Sequence, residues 1–441
     1  MELFKSSSKF SKKQIILLSI PVFFSNIAIP LVGMIDTGLM GNLNETKYLV
    51  ATSIATSVMT MIIWSFGFLR MGTVGIVAQA YGKSDYREIV KTLLRNFLIA
   101  LIVAFIIIIF TPIIKISISY FFSPSDETEV LINQYLNIRV FSVPAELIMY
   151  IMIGFYLGIQ KTKISSFLII TLSTLNIILS SIFVLIYDLK VAGVALGTLI
   201  ASYITMGFFL FYTYKYIIQK FKIIPKFENI MIKSKFIKLL NINFDIFVRT
   251  AFLTFAFLWI TYLGSKIGED YVAVNSILLQ FIILAAFFLD AYAYSTEGIV
   301  GYTIGKRSKK SFLIAVKNSI QLSFFTALII VILYIFFFKD IVDVITSIEL
   351  LRYISYKHFF WIIIIPPVAS FCYQLDGIFI GASQTRELRN AMIFSVLTFI
   401  IISINLSKIY GNQGIWLSLF LFMILRSITL KFYFKKITKK I

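Results

Sequence analysis

The chain has 441 residues, of which 59% are hydrophobic and only 14% charged, with a mean hydropathy of +0.91. Soluble domains carry roughly 25% charged residues, so a soluble enzyme or nucleic-acid-binding domain is excluded and a polytopic membrane protein is expected. The net charge of +20 lies in short loops between apolar runs rather than on one face of an element, which makes it a topology signal and argues against a nucleic-acid partner.

The first residues, as far as Gln14, are basic and serine-rich, but the apolar run behind them holds Asn26 and Asp36. A cleaved signal peptide has a short, plain apolar core, so this segment is expected to be retained. Apolar runs then predict an all-α protein of twelve spans, at roughly 14 to 41, 48 to 81, 90 to 118, 130 to 159, 163 to 187, 192 to 218, 236 to 264, 272 to 304, 312 to 338, 350 to 381, 388 to 406 and 413 to 434. With the N-terminus inside, cytoplasmic segments hold 29 Lys and Arg and the six external loops hold 6. That asymmetry predicts both termini in the cytoplasm.

Shifted by 223 residues, the chain matches itself. GTVGIVAQAYGK, Gly72 to Lys83, aligns with STEGIVGYTIGK, Ser295 to Lys306, at six of twelve positions. The same shift pairs Gly41 with Gly264, Pro144 with Pro367, Tyr150 with Tyr373, Gly154 with Gly377, Gly158 with Gly381 and Thr162 with Thr385. Six helices per half give both halves the same orientation, the plan of a parallel-repeat transporter working by alternating access. The expected domains are an N-lobe over 1–218, a basic cytoplasmic linker over 219–235 and a C-lobe over 236–441.

The first span places one carboxylate, Asp36, in an apolar helix that also carries Pro21 and Pro30. A charge near the bilayer centre costs at least ~2.5 to 3.5 kcal/mol, so this acid is a functional-site candidate by default. The prolines make a bend in that helix available.

Four stretches are specific: PLVGMIDTGLMGNL (30 to 43), SFGFLRMGTVGIVAQAYGKSD (65 to 85), NFDIFVRTAFLTF (243 to 255) and VNSILLQFIILAAFFLDAYAYSTEGIVGYTIGKR (274 to 307). They resemble, in order and over essentially the whole chain, the DinF-like branch of the multidrug and toxic compound extrusion (MATE) transporters. The resemblance implies two six-helix lobes and efflux of organic, often cationic, compounds driven by inward H⁺ or Na⁺ movement, with no cofactor, in a bacterial cytoplasmic (inner) membrane. It also implies a cation or proton site that falls here on Asp36, Asn176, Ser180 and Thr198, and a bend of the first helix at Pro21 or Pro30 on protonation. The family pattern has an aspartate at the position of Ser180. Two nearby carboxylates repel when both are ionised, and Ser180 removes that coupling. A single buried acid can still take up and release one proton, because removal from water favours its neutral form. Sodium would find one formal ligand charge plus neutral oxygens, so protons are favoured.

Asp245 and Arg249 stand four apart on the seventh span and read as a structural ion pair; the alternative partner for Arg249 is Asp290. Asp290, Tyr294 and Glu297 share one face of the eighth span and form either a second acidic site or a polar cluster holding two helices together. Asp376, near a helix end, reads as a solvated cap, with a role in transport as the alternative. Arg139 and Glu146 could pair within the N-lobe, and Arg70 reads as stabilising lobe structure or a cytoplasmic gate. The lone His358 reads as interfacial, and the single Cys372 as a buried small residue, so no disulfide or multi-residue metal centre is expected. G-x-x-x-G at Gly154 to Gly158 and Gly377 to Gly381 favours close helix packing. No phosphate-binding loop is visible.

The expected function is therefore a secondary active exporter, monomeric, taking a small organic substrate in the lipid bilayer. The runner-up is a lipid-linked precursor flippase of a related superfamily branch, against which the intramembrane acids and the DinF-like strings argue. A membrane-embedded enzyme lacks a metal or nucleophile constellation.

Overall fold

The computed structural model describes residues 10–43, 45–225, 232–439 and 441. The basic segment as far as Lys9 and residues 226–231 of the expected linker lie outside the described residues. Every regular element among the described residues is helical: α1 (Lys12–Gly41), α2 (Thr46–Ser65), α3 (Phe68–Gly82), α4 (Tyr86–Ile109), α5 (Thr111–Phe122), α6 (Asp126–Arg139), α7 (Val143–Gly158), α8 (Thr162–Leu185), α9 (Lys190–Tyr216), α10 (Lys233–Ile267), α11 (Glu269–Gly305), α12 (Lys309–Ile345), α13 (Glu349–Lys357), α14 (Phe359–Gly381), α15 (Thr385–Tyr410) and α16 (Asn412–Thr438).

Taken as continuous rods, these give twelve helices long and apolar enough to cross a membrane, which is the expected all-α plan. The breaks inside the expected spans have local causes. Phe66 and Gly67 separate α2 from α3. The third span stops at Ile109, because Pro112 lacks an N–H and sits in the first turn of a new helix, α5. A 3₁₀ turn, Val140–Ser142, joins α6 to α7, with Pro144 opening α7. By contrast α1 runs unbroken through Pro21 and Pro30. Large apolar side chains such as Met34, Phe105, Ile116, Phe336 and Phe432 are exposed, as a chain solvated by lipid rather than water allows.

The 223-residue repeat reappears in the backbone. Three pairs of residues just beyond helix ends at that offset carry a positive φ: Ser84 and Arg307, Gln160 and Ser383, Asp188 and Gly411. Only one of the six is glycine, so the turn geometry has persisted while the preferred residue has not. Packing repeats too. A Cβ on Gly154 would lie 2.5 Å from the Arg70 carbonyl oxygen, and one on Gly377 would lie 2.7 Å from that of Ala293. One turn on, Gly158 faces the Val74 carbonyl and Gly381 that of Glu297. All four contacts obey the same offset, so α7 lies on α3 as α14 lies on α11.

The chain divides into two compact units. One runs Phe24–Leu239; within it α8 packs on α9, α3 on α7, and α2 on α6. The other holds Leu240 onward together with the first turns of α1 as far as Phe23. There, α11 packs on α14 and α12, and α15 on α16, around a core containing Phe281, Phe399, Trp416 and Phe422. The start of α1 is fixed in this unit by Ser19 Oγ bonding Ser295 Oγ at 3.0 Å, Asn318 Nδ2 donating to the Phe10 carbonyl at 2.8 Å, and the Phe23 ring edge-on to Tyr292.

Candidate functional site

In the unit formed by Phe24–Leu239, α8 presents Asn176 and Ser180 one turn apart on a single face. Asn176 Nδ2 donates to Thr198 Oγ1 on α9 at 2.9 Å, and Ser180 Oγ donates to Asn176 Oδ1 at 3.3 Å. Thr198 in turn donates to the Val194 carbonyl of its own helix at 3.0 Å. This approach of α8 to α9 requires Gly197, where a Cβ would lie 2.4 Å from Ser180 Oγ and 2.6 Å from its backbone nitrogen.

Asp36 lies beside this cluster, 6% exposed, next to the Ser180 side chain and within electrostatic reach of Arg139. The Ser180 hydroxyl has one proton and two acceptors to serve, Asn176 Oδ1 and the Asp36 carboxyl. The Asp36 Oδ1 is buried and makes no hydrogen bond. A buried polar atom left unpaired is costly, so this oxygen is poised to accept a proton or cation. The structure thus brings all four expected residues, Asp36, Asn176, Ser180 and Thr198, into one neighbourhood.

Arg139 closes α6 and Glu146 opens α7. Each stands at the helix end whose dipole suits its charge. The 3₁₀ turn between the helices folds them into a two-pronged pair: Arg139 Nη2 reaches Glu146 Oε2 at 3.2 Å, and Nη1 reaches both Oε1 and Ser142 Oγ. Ser142 Oγ also approaches Glu146 Oε1 and the Arg139 carbonyl, each at 2.7 Å. Tyr135, one turn before Arg139, touches Arg139 and accepts from Thr56 at 3.1 Å.

In the second unit Asp245 and Arg249 do not pair with each other. Asp245 Oδ1 takes Arg389 Nη1 at 2.6 Å and its Oδ2 takes the Thr385 hydroxyl at 2.9 Å, both from α15. Arg249 instead joins Asp376. Asp376 also holds Arg426 Nη2 at 2.7 Å, so it is no solvated cap but a 5% exposed carboxylate between two guanidiniums. The physical reason is that interhelical partners relieve buried charge on both helices, whereas an i, i+4 pair relieves only one helix and leaves the charges on its neighbours alone. Of the second acidic candidates, Glu297 is 1% exposed, while Asp290 and Tyr294 are half-buried, all on α11. Arg389 and Arg426 belong to no motif in the sequence, and only the packing of α15 and α16 brings them to these carboxylates.

His358, at the start of α14, is buried within the protein. It is 3% exposed and belongs to a polar chain in which Asn412 Nδ2 meets His358 Nε2 at 2.9 Å and Asn275 Oδ1 at 2.9 Å, Asn275 Nδ2 returns to Asn412 Oδ1 at 2.8 Å, and Trp416 Nε1 donates to Asn275 Oδ1 at 2.8 Å. Cys372 is buried and free, as expected. Among the described residues no group of three or more His, Cys, Asp or Glu could hold a metal ion.

Among the described residues, twelve helices long and apolar enough to cross a membrane and a repeat at a 223-residue offset define a multi-pass membrane protein built from two repeated halves. The MatE family model matches residues 21–182 and again 246–407, once per half, and the chain belongs to the MatE family. It is 32% identical over 94% of its length, and 90% of the relative's, to the DNA damage-inducible protein F of Escherichia coli strain K12, in keeping with the DinF-like resemblance. It is 26% identical to a probable multidrug resistance protein NorM of Photorhabdus laumondii, covering 88% of this chain and 86% of that one. Among solved structures, an outward-facing multidrug resistance MATE family transporter superposes with a TM-score of 0.86 at 18% identity, over 99% of both chains. A Pyrococcus furiosus transporter, described as having a binding pocket of reverse polarity, superposes with a TM-score of 0.84 at 19% identity, again over 99% of both. Members of this family are transporters, not enzymes.

Proposed function

We propose that this protein is a secondary active exporter of organic, cationic or amphipathic compounds, driven by inward proton movement, in a bacterial cytoplasmic membrane with both termini in the cytoplasm. Asp36 carries the coupling proton, and two six-helix lobes alternate access to the substrate. The observation that carries this reading is the buried, unpaired Asp36 Oδ1 beside Ser180, Asn176 and Thr198. An acid in this position changes by one unit of charge when it binds a proton, and that change is large in a low-dielectric span.

Sodium is the less favoured ion. The cluster offers one formal negative charge, with an amide and two hydroxyls already bonded to one another. A hard cation needs about six oxygens to replace its water.

The test uses everted vesicles with an acidic lumen, bathed in a fluorescent cation whose uptake into the lumen is followed, comparing wild type with Asp36→Asn. The variant is expected to fall to the level of vesicles lacking the protein while its amount in the membrane is unchanged. Wild-type transport by Asp36→Asn would overturn the reading.

A further inference from the structure

Position 180 carries no second acid, yet a second acid stands one residue beyond the Asp36 neighbourhood. Arg139 lies within electrostatic reach of Asp36, as does Tyr135, and Arg139 is held by Glu146 through both nitrogens of its fork. The groups around Asp36 that carry charge or titrate are therefore Arg139 and Tyr135 from α6; α8 and α9 present the neutral Ser180, Asn176 and Thr198. Arg139 itself faces Glu146 and Ser142 across the α6–α7 turn. The arrangement is two carboxyl groups and one guanidinium, with an Asp36 oxygen still unbonded.

The pair closes the α6–α7 turn and at the same time places its guanidinium within electrostatic reach of Asp36. Arg keeps its charge throughout, and its five N–H donors can serve two carboxylates at once. We propose that Arg139 is the resident counter-cation of the Asp36 site and that Glu146 is the residue that positions it. While Asp36 holds its proton, Arg139 stays fork to fork with Glu146, and the trio is neutral. When Asp36 gives its proton to water, Arg139 shares its fork with the new carboxylate, and the trio carries one negative charge. A tethered guanidinium takes the place a metal cation would fill, so Arg139 makes the site specific for protons over sodium. This inference rests on the reading of Asp36 as the proton carrier.

The test measures proton-driven transport of a cationic dye by purified protein in liposomes, with pH varied on both sides at a constant gradient. Wild type is compared with Glu146→Gln and with the double variant Arg139→Gln/Glu146→Gln, which removes the pair without leaving an unpaired charge. In Glu146→Gln the freed Arg139 belongs to Asp36 alone, and the pH of half-maximal transport moves towards acid by about one unit. In the double variant Asp36 has lost its counter-charge, and the midpoint moves towards alkali by about one unit. Added sodium leaves the wild type unchanged and accelerates the double variant. A packing defect lowers rates without moving the two midpoints in opposite senses. Arg139→Lys, which keeps the charge and loses the fork, gives a midpoint between wild type and the double variant, and it carries the test should the others fail to fold. Midpoints that stay at the wild-type value, or move in the same direction, overturn the proposal. With Asp36→Asn inactive, that result leaves the proton-carrier reading standing; transport by Asp36→Asn defeats that reading and this inference together.

Discussion

At the scale of single residues, His358 shows how hydrogen-bond direction fixes a protonation state. The indole N–H of Trp416 can only donate, so Asn275 must turn its oxygen towards it. Asn412 then points its oxygen at the Asn275 amide nitrogen and its own nitrogen at His358 Nε2, which must accept. The proton of the neutral ring sits on Nδ1, donated to the Ile354 carbonyl at 2.8 Å. Burial pushes the imidazole below its ordinary value of 6.5, with Lys357 adding to the shift and the Ile354 bond opposing it. The unfolded chain therefore binds this proton more readily than the folded one. The stabilisation is complete above 6.5 and is lost as pH falls through the depressed folded value. Thermal unfolding in detergent at about pH 7.5 and about pH 5.5 should show a steeper acid loss in wild type than in His358→Gln, by about 1 kcal/mol. Equal slopes would remove His358 from the account. None of this was visible in the chain, because Asn275 and Asn412 come from two helices, His358 from the turn between α13 and α14, and the three share no spacing. Asp36 was visible, since a carboxylate in an apolar run stands out alone, and Asn176 with Ser180 was visible from the one-turn spacing.

At the scale of elements, the glycines of α7 and α14 separate packing from propensity. Each lies against the carbonyl oxygens of a neighbouring helix, at Arg70 and Val74 in one unit and at Ala293 and Glu297 in the other. Gly207, also inside a helix, has nothing within 4 Å of where its Cβ would be. Helix propensity alone makes Gly→Ala favourable by about 1 kcal/mol, whereas overpacking costs about 1 to 3 kcal/mol. Gly207→Ala should therefore raise the thermal midpoint in detergent, while Gly154→Ala and Gly377→Ala should lower it by similar amounts. A rise in all three would mean that the close approach does not set the helix spacing. The repeated G-x-x-x-G pointed to this packing in the sequence. The error at Asp245 and Arg249 has the opposite origin: spacing along one helix says nothing about charges offered by its neighbours, and Arg389 and Asp376 outbid the local partner.

At the scale of the whole molecule, twelve spans and their repeat were legible because apolar length and a fixed offset are properties of the chain itself. Breaks within spans were less so. Pro112 ends one helix and starts another, whereas Pro21 and Pro30 lie within an unbroken one, and only the surrounding structure decides between these outcomes. The grouping of the first turns of α1 with Leu240 onward was also hidden, since hydrophobic periodicity finds a buried face without naming what buries it. Transport follows from the family, while the proposed proton coupling is argued from one acid at Asp36 with a guanidinium in electrostatic reach and no second carboxylate on α8. The most direct test reconstitutes the wild-type protein in liposomes and imposes either a proton gradient or a sodium gradient across otherwise identical membranes. The account predicts uphill movement of a cationic dye with the proton gradient and none with the sodium gradient alone. Dye movement driven by sodium in the absence of a pH difference would contradict it.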